Sequence, residues 1–168
     1  MSVAGARGYY VAADLVVLPD DGQRYEVLDG SLTVTPMASG NHQRVVGNLF
    51  RQLARGCPAG WLVLPGAQID AGVDAPIPDI LVVPDDVELP AAFASTAVKL
   101  VVEVTSPRQA ARDWITKRAL YARLGIPLYV IADPGAGLSV LQLRSGQYDL
   151  VESGVSVSVP GFGFVVLD

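Results

Sequence analysis

Glu103 stands in Lys99-Leu100-Val101-Val102-Glu103-Val104-Thr105-Ser106-Pro107, one acid inside a nearly continuous apolar run. An unpaired buried carboxylate costs several kcal/mol or takes up a proton, so it needs a cation, a hydrogen-bond network or a metal. A second acid, Asp79, heads the apolar run Ile80-Leu81-Val82-Val83, and a third, Glu26, lies in Arg24-Tyr25-Glu26-Val27-Leu28. Lys117 follows on the segment after the Glu103 run. Two acids on neighbouring strands with one Lys suit phosphodiester hydrolysis. Hard oxygen ligands fit Mg²⁺, which keeps several waters and takes one or two carboxylates. Such a cation polarises the phosphate and activates water, and a nearby Lys offsets developing charge.

Each residue also has a plainer reading. Asp79 after Pro78 can be a strand-start acid, and Glu103 can form a structural ion pair with an Arg. Lys117 can pair with Asp113 four residues earlier, a contact worth about 0.2–0.5 kcal/mol on a helix surface. Glu26 can be an exposed hairpin acid, and His42 a surface residue of a first helical turn. Cys57, between Gly56 and Pro58, reads as an inert small hydrophobe. Asp133 before Pro134 reads as a turn former.

The elements that must position these groups follow from periodicity. Arg24–Leu28 and Leu32–Thr35 read as strands joined by Asp29-Gly30, a hairpin signal because Gly accepts positive φ. Val45, Val46, Leu49, Phe50 and Leu53 repeat with the helical period, so Asn41–Arg55 reads as a helix stopped by Gly56 and Pro58. Ala110–Leu124 reads as a second helix, ended by Gly125 and Pro127, and Ala12–Leu18 as a short one. Trp61–Leu64, Ile80–Val83, Leu100–Val104, Leu128–Ala132, Leu138–Leu143, Tyr148–Glu152 and Phe164–Leu167 read as strands. The unbroken apolar runs at 80–83 and 100–104 mark central strands covered on both faces. Side chains alternate along a strand, so Glu103 shares a face with Val101 and opposes Val102 and Val104. The sum is an α/β (α+β) domain with a central mixed sheet flanked by helices, one domain over residues 1–168.

Composition narrows the chemistry. The chain is 51% hydrophobic and 17% charged, with net charge −5, which excludes a disordered tail and a polybasic coat. One Cys and one His leave no internal disulfide and no Cys/His zinc site. No Gly-x-Ser-x-Gly elbow accompanies His42. The first residues carry no charged start with an apolar run, and no apolar stretch reaches the ~20 residues of a membrane span. The expected setting is cytoplasmic. Only Lys99 and Lys117 are Lys among 12 basic residues. In so Arg-biased a chain, a Lys is the more telling residue.

Tyr25-Glu26-Val27-Leu28-Asp29-Gly30, His42-Gln43, Pro78-Asp79, Val102-Glu103-Val104-Thr105-Ser106-Pro107, Asp113-x-x-x-Lys117-Arg118-x-x-Tyr121, Gly125-Ile126-Pro127 and Ala132-Asp133-Pro134 occur in that order. This set resembles the Uma-two family of bacterial restriction-endonuclease-like proteins, within the PD-(D/E)XK nuclease superfamily. The resemblance spans roughly residues 14–143 and implies a restriction-endonuclease-like fold. It implies that Asp79, Glu103 and the Val104 carbonyl hold Mg²⁺, or Mn²⁺, and that Lys117 and Glu26 complete the catalytic set. The superfamily's Lys usually follows the second acid by two residues, a position held here by Thr105. Ile77 replaces an Arg usual before Pro-Asp, and Leu128-Tyr129-Val130 replaces Glu-Tyr-Trp.

The function expected is metal-dependent DNA cleavage, with His42, Arg112 and Arg118 touching nucleic acid. Arg108 and Arg123 lie on the same stretch as Arg112 and Arg118. Cutting both strands calls for a homodimer or two encounters. RNA or a small nucleotide is the alternative substrate, and a non-catalytic binding or assembly module the alternative class. The catalytic reading requires Asp79 and Glu103 to converge and the Lys117 amine to reach the same cleft.

Overall fold

The computed structural model describes residues 8–107 and 109–167. Its centre is a six-stranded mixed sheet built on the apolar runs. The order is β10 (Gln147–Gly154), β9 (Gly137–Arg144), β8 (Leu128–Asp133), β7 (Leu100–Val104), β5 (Ile80–Pro84) and β3 (Trp61–Pro65). β7 and β8 are parallel, and the other neighbours antiparallel. β7 is buried at every position, as its apolar composition requires.

Helix α1 (Gly40–Gly56) covers one face. Its Val45, Val46, Leu49 and Leu53 pack on Ile80, Val82, Leu100, Val102 and Val104. Ser39 caps it, its hydroxyl accepting the His42 N–H at 3.3 Å. The hairpin of β11 (Ser156–Val159) and β12 (Gly163–Val166) joins this core through Val157, Val159 and Val165. The opposite face carries Val101, Tyr129, Ile131 and Leu141, covered by Tyr121, Ile126 and Tyr148. The small parallel pair β4 (Gln68–Asp70) and β6 (Ala92–Ala94) adds Ile69 and Phe93 there. A second hairpin, β1 (Arg24–Leu28) and β2 (Ser31–Thr35), turns at Asp29 and Gly30, whose φ values are +48° and +75°. β1 docks near the sheet end through the bridge Val27 to Ala75.

Three departures from expectation stand out. Residues 12–17 form a 3₁₀ turn rather than an α-helix. The short strands β4, β6 and β11 have too few residues to show a period. The segment 110–124 is helical, but Arg112–Lys117 winds as a π-helix before α2 (Arg118–Arg123). Such i→i+5 winding is rare and concentrates at functional sites. Asp113 and Lys117 are both buried on it, so neither forms the solvated surface pair that their spacing suggests.

Candidate active site

The register Ile80–Val102 between β5 and β7, continued one step, sets Asp79 beside Glu103 at the sheet end. The Val104 N–H donates to Asp79 Oδ2 at 2.8 Å, locking the acid to β7. Arg24 Nη1 reaches Asp79 Oδ1 at 3.1 Å. His42 Nε2, from the first turn of α1, lies 3.2 Å from Asp79 Oδ2 and 3.0 Å from the Val104 carbonyl oxygen. Burial pushes the Asp79 carboxyl up, but the His42 hydrogen bond and the Arg24 and His42 charges outweigh it, leaving it below its ordinary value. The same hydrogen bond lifts His42 above its ordinary value.

Glu103 shares the sheet face of Val101, the face that Tyr121 covers. Its Oε1 accepts from Lys117 Nζ at 2.8 Å and from the Tyr121 hydroxyl at 2.7 Å. Lys117 Nζ also contacts Glu26 Oε1 at 3.0 Å, and that oxygen takes the Ile77 N–H at 2.7 Å. Glu26, Glu103 and Lys117 are all at most 3% exposed. Burial pushes Glu103 up to about 8, reinforced by Asp79, Asp113 and Glu26 and opposed by Lys117. Burial pulls Lys117 down, but the Glu103 and Glu26 carboxylates overcome it, and the amine stays protonated.

The groove above this cluster has a volume of about 550 Å³, and Arg24, Thr35, Ser39, His42, Ser106 and Gln109 are among its walls. A smaller recess of about 250 Å³ runs inward past Arg24 and His42 to Asp79. Neither is lined by Glu103 or Lys117, so Lys117 meets Glu103 from behind rather than from the groove.

Asp79, the Val104 carbonyl and His42 thus meet at the recess, whereas Glu103, Lys117 and Glu26 form a sealed cluster behind them, so the expected arrival of the Lys117 amine in the same cleft is not what the structure shows. Arg118 does not join them; it donates to the Tyr148 carbonyl at 2.6 Å. Arg123 pairs with Asp29 and Asp74, and Arg112 buries its Nε without a partner. None of the three lines the groove. Arg108 lies outside the described residues.

Sequence reasoning assigned no role to Arg24, Tyr121 or Asp113. Arg24 is two residues from Glu26 on one strand, hence on the same face. Tyr121 is four residues from Lys117, one helical turn on. Those spacings were the available signals. Thr105, standing where a Lys is usual, hydrogen-bonds Asp113 and helps offset the burial that raises its carboxyl.

The donor set can be tested against a divalent cation. Asp79 Oδ2 and the Val104 oxygen both point at one atom, His42 Nε2. Glu26, Asp79, Glu103 and Asp113 bring four carboxyls, against which Lys117 and Arg24 are the permanent cations in contact. These oxygens already meet the His42 ring, and Arg24 Nη1 holds the other Asp79 oxygen, so a divalent ion would have to take the place of these partners. No three His, Cys, Asp or Glu side chains form a ready cage among the described residues. A cation here would have to draw on the backbone oxygen and on water.

A mixed sheet with helices on both faces and buried acids at its strand ends defines a nuclease-like fold. The model of the Uma2 family, described as "Putative restriction endonuclease", matches residues 12–167, and the chain belongs to that family. The solved structure of "a putative nuclease belonging to DUF820" from Anabaena variabilis is similar in fold. Its TM-score is 0.74 over 91% of this chain and 90% of that chain, at 17% identity. No curated protein matches. No helix among the described residues is long and apolar enough to cross a membrane.

Proposed function

We propose that this nuclease-family protein hydrolyses DNA phosphodiesters with a divalent cation held by Asp79, Glu103 and the Val104 carbonyl. What supports the reading is the family match together with buried Asp79 and Glu103 on adjacent strand ends, Asp79 lying at the floor of an open recess. Mg²⁺ is the expected ion, with Mn²⁺ as substitute, and when bound it supplies phosphate polarisation and a more acidic water. Arg24, only partly buried at the groove, is placed to take a phosphate oxygen through its fork of donors. Ser39, Gln43, Ser106 and Gln109 offer uncharged hydrogen-bonding walls for a polyanionic strand. Lys117 and Tyr121 act on Glu103: both donate to Oε1 and fix the carboxyl group. Glu26 holds the Lys117 ammonium from the other side and keeps its proton on Nζ.

Plasmid DNA is the first substrate to test, with Mg²⁺ or Mn²⁺ and with Asp79→Asn, Glu103→Ala and Lys117→Ala in parallel. Wild type should cut, and each variant should lose at least about a hundredfold in rate, the scale of one catalytic group. Linear product without nicked intermediate would indicate two copies acting together. Equal cleavage by all four proteins would identify a contaminant. Cleavage of RNA or dinucleotides but not DNA would change the substrate class. Inactivity on every nucleic acid would favour a binding module, a reading consistent with a net charge of −5.

A further inference from the structure

The π-helical winding of Arg112–Lys117 has a hydroxyl seated on it from the central sheet. The Asp113 carbonyl accepts the Arg118 N–H, five residues on, which is the bond that distinguishes π from α winding. The Tyr129 hydroxyl, from β8, donates to the same carbonyl oxygen at 3.0 Å. Tyr129 is buried, its ring edge-on to Tyr121 at 5.2 Å between centroids and tilted against Tyr148 at 5.8 Å. This packing fixes where the hydroxyl points. A carbonyl oxygen has two acceptor sites, so Tyr129 fills the second without displacing the Arg118 bond. The Asp113 side chain is held as well, by Thr105 just beyond β7. One residue of the segment is thus anchored to β8 and to the end of β7, four residues before Lys117 Nζ reaches Glu26 and Glu103.

We infer that Tyr129 is a positioning residue: its hydroxyl holds the Asp113 carbonyl in the π winding and thereby sets the Lys117 amine between Glu26 and Glu103. Its hydroxyl is spent on Asp113 and it lines neither the groove nor the recess, so it acts through the helix. In α winding the Lys117 N–H would take the Asp113 carbonyl, and the residues after it would turn relative to the sheet. Any effect on cleavage rests on the hydrolytic reading above; the placement of Lys117 stands apart from it. Tyr148 makes the control. Its hydroxyl donates to the Ile126 carbonyl at 2.7 Å, a buried bond of the same kind in the same apolar cluster but outside the π segment.

The test is nuclear magnetic resonance of protein carrying isotope-labelled lysine, with Tyr129→Phe and Tyr148→Phe beside wild type. Lys99 and Lys117 are the only lysines, so two side-chain signals are expected, and Lys99→Arg identifies them. Wild type should show Lys117 ammonium protons in slow exchange with water. Tyr129→Phe keeps the ring and removes only the hydroxyl. It should speed exchange at Lys117 by about tenfold, the scale of one hydrogen bond, and shift the Lys117 signal while Lys99 stays in place. Tyr148→Phe should lose comparable stability in urea and leave the Lys117 signal unmoved, which separates positioning from plain support. An unmoved Lys117 signal in Tyr129→Phe, or an equal change in Tyr148→Phe, overturns the inference. A slowly exchanging Tyr129 hydroxyl proton is expected in wild type, and its absence overturns the inference without any variant. Where wild type cleaves DNA, Tyr129→Phe should lower kcat by about tenfold with KM unchanged, and Tyr148→Phe should change neither. If wild type cleaves nothing, the hydrolytic reading falls and the lysine signals still decide the role of Tyr129.

Discussion

Lys117 carries the heaviest electrostatic duty of any side chain at the site. It is 1% exposed and lies within 3.0 Å of two carboxylates that are themselves buried. Removing one partner from a buried ionic group leaves uncompensated charge and costs about 3–5 kcal/mol. Lys117→Met should therefore destabilise the fold by about that amount in urea unfolding, far beyond the few tenths of a surface i,i+4 pair. Glu103 gives a pH signature. Between the ordinary value of 4.5 and about 8, the folded protein keeps a proton on Glu103 that the unfolded chain has lost. The sign is then fixed: without added metal, stability falls as pH rises through this window. His42, also raised, adds the same sign as pH climbs through its own titration. In unfolding free energies measured from pH 5 to 8, Glu103→Gln should keep the Tyr121 hydrogen bond and flatten much of the slope. A wild-type stability that rises across this range would contradict the assignment.

Among the elements, the π-helical segment decides whether the site exists. Its inward residues are Asp113 and Lys117, while Ile115 is 69% exposed. Inserting one Ala after Ile115 adds a residue on the exposed side and turns the residues that follow by about 100°, carrying Lys117 and Tyr121 off their partners. The insertion should lose stability comparably to Lys117→Met and abolish cleavage; a variant that unfolds like wild type would show that the winding does not position Lys117. This device was not legible in the sequence, because Asp113 and Lys117 are four apart in either winding. Glu103 was legible, since an acid in an apolar run must find a partner, and α1 was legible from five apolar residues on one period. The Asp29-Gly30 turn was also readable, since these residue types tolerate the positive φ both adopt. Arg24 and Arg118 were not, because in so Arg-rich a chain only tertiary contacts separate a groove residue from one tied to the Tyr148 carbonyl.

For the molecule as a whole, its acidic balance acquires a location. Four of its carboxyls lie at or beside one sheet end, where burial keeps them from water and neighbouring cations partly answer them. Of the Arg residues on the second helical stretch, Arg118, expected to touch nucleic acid, and Arg123 instead brace the periphery: Arg118 to β10, Arg123 to the β1–β2 turn. The buried lysine also makes the chain its own reporter of opening. Of its two lysines, Lys99 is partly exposed with its amine over the Trp61 ring, whereas Lys117 is sealed. An amine-selective acylating reagent should mark Lys99 within its ordinary reaction time and leave Lys117 unmarked in the folded state. Peptide mass analysis would then read acylation at Lys117 as a clock for the rate at which this end of the sheet comes apart.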